Sequence, residues 1–276
     1  MTAHYIDSEL EGIRSKWPVK PLDEEAYIHR WDEMGLTVGD DGVPVDEYYM
    51  GIISECLESG MDVLDIGCGS GDYCLELSGR ANSVTGVDIS PVLIDLCTRR
   101  AQKAGIGNVH FRKTDWLSDD LAGCPQPNGF DMVLAHYSPA VHCFDGFIKM
   151  VRSTRRFGLC CSELGWHNRI YKDVYRLAGM SMDDSCLNVS SMMNILWHLG
   201  LEPSIRYRKE RTVMELDVGT ATHVMVSYMS IFGDYDHRFD KDIAEYIESV
   251  SSRGKVEFKD EWTNAYVLWE VPDGGH

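Results

Sequence analysis

The chain has 276 residues, 44% of them hydrophobic and 25% charged, a balance with which a globular protein can build a sizeable core. Its formal net charge of -18 opposes binding to the phosphates of nucleic acids and to anionic membranes, so we expect neither as a partner. No apolar run approaches the roughly 20 residues that span a bilayer. The first residues lack the apolar core of a signal peptide, and the cysteines form no C-x-x-C pair, so we expect buried thiols in a reducing cytoplasm.

Residues 1–60 form an N-terminal segment that precedes the first predicted strand. Apolar and aromatic side chains recur at helical spacing over Leu22–Met34 and Val45–Leu57, which predicts two helices. Tyr27 and Trp31 are four residues apart and share one face of the first helix. Their rings either shield a bound cation or belong to the core, so this helix is a candidate lid and its function stays open.

Strands and helices alternate over residues 61–163, the predicted core. We predict five strands: Asp62–Ile66, Ser83–Val87, Val109–Lys113, Phe130–His136 and Phe157–Glu163. The first is apolar on both faces, which is typical of a buried parallel strand. After the second strand, Ser90 and Pro91 predict the start of a helix that ends at Gly105. This alternation predicts right-handed crossovers and a doubly wound parallel sheet.

The regular alternation ends after the fifth strand. Two predicted helices, Trp166–Gly179 and Val189–Gly200, make residues 164–203 a helical insertion or cap. Residues 204–276 complete the sheet with a strand, two helices and an antiparallel strand pair: Ile205–Leu216, Val218–Phe232, Asp240–Ser252, and Val256–Phe258 with Tyr266–Val271. The predicted fold is an α/β domain with a doubly wound, mostly parallel seven-stranded sheet, helices on both faces, an antiparallel C-terminal strand and a helical cap.

A glycine-rich turn follows the first predicted strand. Asp65-Ile66-Gly67-Cys68-Gly69-Ser70-Gly71 places three glycines at alternate positions after an acidic residue. Glycine lets a ligand approach the main chain, and a helix that starts here points free N–H groups into the turn. The spacing differs from the G-x-G-x-x-G fingerprint of nicotinamide-dependent enzymes, and Asp65 with Asp72 would repel a pyrophosphate. A nucleotide-type ligand with an amino group and a positive centre fits this turn better.

This segment resembles motif I of the class I S-adenosylmethionine-dependent methyltransferases, and Gly86-Val87-Asp88-Ile89-Ser90 resembles their second motif. The resemblance spans roughly Val45–Glu163 and implies S-adenosylmethionine as the cofactor. It implies that Asp88 accepts hydrogen bonds from both ribose hydroxyls, and that Asp65 orients the turn or holds the ligand's ammonium group. Asp115 and Trp116 match the position that holds the adenine. The cofactor contacts that we expect are Asp65, Gly67, Cys68, Gly69, Gly71, Asp88, Ile89, Asp115, Trp116 and His136.

The other candidate residues follow the fourth and fifth predicted strands or lie on the candidate lid. His136 and His142 lie where a general base would meet a methyl acceptor, although a histidine at a strand end commonly bonds to the backbone. The side chains that we expect at the substrate are Tyr27, Trp31, Tyr137, Glu163, Trp166 and His167. No pair among the histidines and Glu163 has ligand spacing on one helix face, so no metal is expected.

These motifs predict an S-adenosylmethionine-dependent methyltransferase that acts on a small-molecule acceptor, because no basic groove or peptide-binding signal is present. The cofactor brings its own leaving group, so the protein mainly aligns the acceptor with the methyl group for in-line transfer. A nicotinamide-dependent oxidoreductase and a non-catalytic cofactor-binding protein are the alternatives. The sequence leaves open the acceptor atom and the oligomeric state.

Overall fold

The computed structural model of the chain describes residues 8–17, 23–119, 129–181 and 186–272. These residues form a layered α/β structure around one sheet. Its strands are β1 (Asp62–Ile66), β2 (Ser83–Asp88), β3 (Val109–Lys113), β4 (Phe130–His136), β5 (Thr154–His167), β6 (Ser204–Asp217) and β7 (Lys255–Glu270). Its α-helices are α1 (Ser8–Lys16), α2 (Glu24–Val38), α3 (Glu47–Cys56), α4 (Asp72–Leu77), α5 (Pro91–Ala104), α6 (Phe144–Ser153), α7 (Arg169–Leu177), α8 (Cys186–His198), α9 (Val218–Ser230) and α10 (Asp240–Val250).

The strands of the described residues form a seven-stranded sheet in the order β3-β2-β1-β4-β5-β7-β6. β1 to β5 pair in parallel, whereas β7 pairs antiparallel with both β5 and β6. The predicted fold class is therefore confirmed. The strand order reverses direction between β1 and β4, and open α/β sheets bind ligands at such a switch point, beside the carboxyl ends of the strands.

The predicted strands of the parallel core agree with the structure, but two predictions beyond it are wrong. β5 continues to His167, so the helix predicted from Trp166 begins only at Arg169, after Asn168 caps it through the N–H groups of Ile170 and Tyr171. The predicted pair of C-terminal strands is one continuous strand, β7, which pairs with β6 from Lys255 to Leu268. Its middle, residues 259–263, is polar and partly exposed, so no alternation of buried and exposed side chains marks this stretch as a strand.

The N-terminal segment contains one helix that the sequence pattern did not predict. α1 buries Leu10 and packs against α8, while Trp17 packs against Phe147. The predicted helix over Leu22–Met34 is α2, which begins at Glu24 behind its Asp23 cap. Leu22 itself lies outside the described residues.

Buried apolar side chains form three clusters that show where each helix packs. The first lies under α1, α6 and α8 on one face of the sheet, and the second lies under α3, α4 and α5 on the other. The third joins α7, α9 and α10 to the part of β6 and β7 that extends beyond β5, and so forms a helical cap. Within the predicted insertion 164–203, α7 packs in this cap, whereas α8 packs against the sheet. The boundary that we predicted for the insertion stays a prediction.

Within the described residues, no helix is long and apolar enough to cross a membrane.

We predict that Gly158→Ala destabilises the fold. Gly158 in β5 lies opposite Trp269 of β7, whose indole is 1% exposed, and a Cβ on Gly158 would lie 1.9 Å from Trp269 Cζ2. Overpacking of this kind costs about 1–3 kcal/mol of unfolding free energy. Urea unfolding will measure it, with Gly79→Ala as the control because nothing lies within 4 Å of a Cβ there. Equal midpoints for the two variants would contradict this packing.

Candidate functional site

A cavity of about 580 Å³ lies at the switch point of the sheet. Its walls come from the carboxyl ends of β1, β2 and β4, the loop after β3, and α2 with the loop that follows it. Of the predicted site residues, those that line it are Tyr27, Trp31, Asp65, Gly67, Cys68, Gly69, Asp88, Ile89, Asp115, Trp116, His136 and Tyr137.

The glycine turn brings bare main chain to the cavity. The N–H groups of Gly67 and Cys68 both donate to Val87 O, at 2.8 and 3.0 Å, which fixes the turn against β2. Gly67 has a positive φ of 71°, and a Cβ there would lie 2.3 Å from Ser138 Oγ, so a side chain is excluded. Gly69 also has a positive φ, 54°, but no heavy atom lies within 4 Å of a Cβ placed on it. The main chain at Gly69 therefore faces open space that a ligand can fill.

Gly71 has a different position from the other two glycines. It caps α4 and does not line the cavity among the described residues. A Cβ on Gly71 would lie 2.7 Å from Cys97 Cβ, so this glycine lets α5 pack closely beneath the turn.

Asp88 joins the glycine turn to the end of β2. Its Oδ2 accepts a hydrogen bond from Gly69 N at 3.0 Å, and its Oδ1 accepts one from Ser90 N at 2.9 Å. Burial raises the pKa of this carboxyl above its ordinary value, although both N–H groups favour the charged form. The carboxylate thus lies beside the open main chain of Gly69, at the end of a parallel strand.

Asp65 is the second buried acid of the cavity wall. The side chain is fully enclosed, and Cys74 Sγ donates a hydrogen bond to its Oδ2 at 3.5 Å. Burial raises its pKa from 3.8 to about 7, and the nearby carboxyls of Asp88 and Asp72 add to the shift. A buried acid in this state favours a positively charged partner, which would let it ionise.

The loop after β3 places Asp115 and Trp116 differently. Asp115 lines the cavity while its carboxylate accepts hydrogen bonds from Leu117 N at 3.0 Å and Ser118 Oγ at 2.6 Å. Trp116 is 3% exposed, and its Nε1 donates to Gly146 O at 2.9 Å, which holds the indole against α6. Lys149 Nζ lies 4.5 Å from its ring centroid on the same side of the molecule. Only part of Trp116 therefore reaches the cavity.

α2 covers the cavity from the side of the cap. Tyr27 and Trp31 both line it, with ring centroids 5.9 Å apart in an edge-to-face arrangement. α2 also packs against α5 and α9, and Asp32 Oδ1 accepts a hydrogen bond from Ser90 Oγ at 2.5 Å. The candidate lid is thus anchored beside Asp88. Whether it opens stays a prediction.

His136 lies at the end of β4 inside a group of aromatic rings. The ring centroids of Tyr49, Tyr73 and Tyr137 lie 4.6, 4.9 and 4.5 Å from its imidazole. Burial lowers the pKa of His136 to about 4, although Asp46 lies 4.0 Å away. The imidazole is therefore neutral near pH 7 and accepts or donates hydrogen bonds there, but it is a weak base.

The remaining predicted residues lie outside the cavity wall as far as the structure describes it. His142 has its Nε2 buried without a described partner, and burial lowers its pKa to about 4. Trp166 donates through Nε1 to Asp260 Oδ1 at 2.8 Å, on the extended end of β5. Glu163 and His167 share that extended end, opposite Asn264 and Glu261 of β7.

The prediction from sequence missed Asp46, which caps α3. Its Oδ1 accepts from Tyr48 N and from Arg208 Nη1, at 2.8 and 2.9 Å, and its Oδ2 accepts from Tyr266 OH at 2.8 Å. These hydrogen bonds hold the pKa of Asp46 below its ordinary value although burial opposes them. An acid before a helix start signals a cap, but no sequence pattern connects positions 46, 208 and 266.

A second cavity of about 470 Å³ adjoins the first. The two share the wall residues Val45, Asp46, His136 and Tyr137, and the second is completed by Glu47, Arg208, Glu210, Trp262 and Asn264. Tyr137 has a positive φ of 52°, a strained backbone conformation for a tyrosine. Its hydroxyl donates to Asn264 Oδ1 and accepts from Trp262 Nε1 at 3.2 Å, which holds the ring between the two cavities.

The fold and this site define a class of protein, the α/β domains that bind a nucleotide-type cofactor at the switch point. The model of the family described as a methyltransferase domain matches residues 57–189. Residues 57–189 thus have the sequence pattern of a methyltransferase domain, in agreement with the resemblance of the glycine turn and the second motif.

Curated relatives match part of this chain. It is 30% identical over 115 residues to a protein-L-isoaspartate O-methyltransferase of Magnetococcus marinus, a match that covers 41% of this chain and 49% of that protein. It is 32% identical over 141 residues to the 23S rRNA (uracil(1939)-C(5))-methyltransferase RlmD of Pseudomonas aeruginosa, which covers 48% of this chain and 31% of that protein. The chain thus spans at most about half the length of these relatives.

Solved structures share the fold at low sequence identity. The crystal structure of the [4+2]-cyclase SpnF has a TM-score of 0.54 and 15% identity, covering 93% of this chain and 98% of that one. A methyltransferase-like protein of Bacillus halodurans has a TM-score of 0.53 and 12% identity, covering 82% of this chain and all of that one.

The expectation that excludes nucleic acid as a partner is wrong. Relatives that the chain matches are named for the methylation of 23S rRNA. Net charge is a sum over the whole surface, whereas binding depends on local patches of charge, so the value of -18 does not exclude an RNA partner.

We predict that Asp65→Asn stabilises the ligand-free protein near pH 8. The pKa of Asp65 is raised to about 7 from 3.8, so its contribution to stability is complete below pH 3.8 and is lost as the pH rises through about 7. The neutral amide removes this loss, and we expect a gain of about 1–4 kcal/mol near pH 8 that fades towards pH 4. Denaturant unfolding across this pH range measures the gain.

The control for this prediction is Asp242→Asn, an exposed change on α10 that should show no pH-dependent gain. A wild-type protein at least as stable as the Asp65 variant near pH 8 would contradict the buried, unpaired state of the acid.

Proposed function

We propose that the chain transfers the methyl group of S-adenosylmethionine to a small-molecule acceptor. The observation that carries this proposal is the cavity at the switch point, whose wall includes the open main chain of Gly69 and two buried carboxyls, Asp65 and Asp88. Together they offer a bare surface and two acids to a ligand that carries hydroxyl and ammonium groups.

The residues present suit the parts of this cofactor. Asp88 would accept the ribose hydroxyls, and Asp65 would face the ammonium group, which relieves the cost of burying its charge. Asp115 would accept from the adenine amino group, while the open space at Gly69 would take the body of the ligand. The rings of Tyr27 and Trp31 would cover it from α2.

The bound cofactor supplies a methyl group on a positively charged sulfur with a neutral leaving group. The chain's own residues then have two tasks, which are to hold the acceptor in line and to exclude water. His136 and Tyr137 lie in the wall that both cavities share, so an acceptor in the second cavity would meet the cofactor there. We propose that His136 orients the acceptor as a neutral hydrogen-bonding group.

The second cavity has room for a small acceptor. Its volume of about 470 Å³ lies within the range of about 300–1,000 Å³ that is usual for small-molecule sites.

A protein of this fold can also catalyse another reaction, since the structurally similar SpnF is named as a cyclase. Turnover is therefore tested separately from binding. A cytoplasmic location also stays a prediction, supported by the seven free cysteines whose side chains the structure describes.

We predict that Asp88→Asn weakens the binding of S-adenosylmethionine about 10-fold or more. The amide has one acceptor oxygen, so it cannot satisfy both ribose hydroxyls as well as Gly69 N, and an unsatisfied buried group costs about 1–3 kcal/mol. Isothermal titration of the wild-type protein and the variant gives the two dissociation constants. Asp95→Asn, an exposed change on α5, is the control and should bind as the wild type does. Unchanged affinity in the Asp88 variant would mean that the ribose lies elsewhere.

The transfer itself is tested with methyl-labelled S-adenosylmethionine and three fractions of a bacterial lysate, which are dialysable small molecules, total RNA and total protein. Label in the small-molecule fraction supports the proposed acceptor class. Label in RNA or protein alone overturns it while leaving the methyltransferase intact, and binding without any transfer would favour a non-catalytic cofactor-binding protein.

A further inference from the structure

The second cavity has an acidic, aromatic lining. Its walls carry the carboxylates of Asp46, Glu47 and Glu210 against one guanidinium, that of Arg208. Arg208 is already engaged, because Nη1 donates to Asp46 Oδ1 at 2.9 Å and Nε lies against Glu210 Oε1. Among the described residues that line this cavity, negative charge therefore remains in excess, which favours a cationic molecule over an anionic one.

Aromatic rings at fixed positions add to this preference. Trp262 Nε1 donates to Asn264 Oδ1 at 2.6 Å and to Tyr137 OH at 3.2 Å, so the indole is held beside the tyrosine at the cavity wall. Ring faces carry the negative part of the aromatic quadrupole and attract an ammonium group. A molecule with a protonated nitrogen and an apolar body thus finds both of its features matched here.

The wall between the cavities offers only weak bases to an acceptor. His136 is neutral near pH 7 because burial lowers its pKa to about 4. The Tyr137 hydroxyl donates a hydrogen bond to Asn264 Oδ1, and burial raises the pKa of this hydroxyl far above its ordinary value. An alcohol, which is a poor nucleophile until its proton is removed, is therefore served badly by the described residues of this wall. A neutral amine carries a free lone pair and needs no base at the moment of transfer.

We infer that the second cavity is the acceptor site and that the acceptor is a small amine with an apolar body. This inference rests on the proposed function, since it places the cofactor's methyl group at the shared wall of Asp46, His136 and Tyr137. The protonated amine is attracted by the acidic lining and loses a proton to solvent. Its lone pair then forms the new N–C bond as the C–S bond breaks, and the electron pair of that bond stays on sulfur.

The product of this step is a methylated ammonium ion and a neutral thioether. The positive charge moves from sulfur to nitrogen, and the carboxylate of Asp46 lies beside the wall where the charge arrives. The ammonium product then releases a proton to solvent through the open side of the second cavity, which restores the neutral amine.

The first test compares acceptors that differ only in the reacting group. The full chain is incubated with S-adenosylmethionine and with benzylamine, 2-phenylethylamine and tryptamine, each beside the alcohol and the carboxylate of the same skeleton. Release of S-adenosylhomocysteine with one or more amines alone is expected. Release with alcohols or carboxylates, or with no amine while S-adenosylmethionine still binds, overturns the amine assignment. Failure to bind S-adenosylmethionine would instead overturn the proposed function.

The second test measures amine binding without turnover. Isothermal titration of the complex with S-adenosylhomocysteine, using the amine that reacts best, should show about 10-fold weaker binding in Glu210→Gln and in Trp262→Leu. The affinity for S-adenosylhomocysteine itself should stay within twofold of the wild type. Glu257→Gln is the matched control on β7, since this exposed acid pairs with Lys259 away from both cavities. Equal amine affinity in all three variants would place the acceptor elsewhere.

The pH dependence separates an amine that ionises by itself from one that is deprotonated by the protein. For two reactive amines of different intrinsic pKa, kcat/KM should rise with pH. The midpoint of that rise should follow the pKa of each amine. A midpoint that is the same for both amines would show that a protein base controls the reaction, and the inference would fail.

Discussion

The hydrogen bond from Gly69 N to Asp88 Oδ2 is the interaction on which the site depends. It joins the turn after β1 to the end of β2, and Val87 O holds the same turn through two further N–H groups. These contacts fix a stretch of main chain without side chains at the point where the strand order reverses. The main chain at Gly69 faces open space, whereas at Gly67 Ser138 occupies the place that a side chain would take.

This arrangement places two acids in a buried position at a cost to the ligand-free fold. Asp65 has its pKa raised to about 7 and Asp88 has its pKa raised as well, both chiefly by burial. Selection for stability alone would replace these buried acids. Their presence therefore agrees with a site that binds a positively charged, hydroxyl-bearing ligand. α2, which is hydrogen-bonded to Ser90 beside Asp88, covers the same space with the rings of Tyr27 and Trp31.

The parallel core was predictable from sequence because its signals are local. The buried strands β1 and β4 are largely apolar runs, and Ser90, Pro91 and Gly105 mark the ends of α5 by their capping chemistry. The residues of the cofactor cavity follow from the same logic, since the ends of adjacent parallel strands meet at one edge. The continuity of β7 was not predicted, because the middle of this strand is polar and lies outside the apolar core. The composition of the cap was predicted only in part, because α7 and α8 are adjacent in the chain but pack into different clusters.

The second cavity was not predictable because it is assembled from distant segments. Asp46, Arg208, Trp262 and Asn264 come from a helix cap and from the two antiparallel strands, and only the completed sheet brings them together. Glu163, Trp166 and His167 were placed at the end of the predicted fifth strand, but β5 continues through all three of them beside β7. Residues at the end of a strand reach the site only when the strand ends there.

The crystal structure of the complex with S-adenosylhomocysteine tests the central claim most directly. We expect the ligand to lie across the main chain of residues 67–69, with both ribose hydroxyls within hydrogen-bond distance of the Asp88 carboxylate and its ammonium group facing Asp65. A ligand bound away from this turn, or an Asp88 carboxylate that makes no contact with the ribose, would contradict the account.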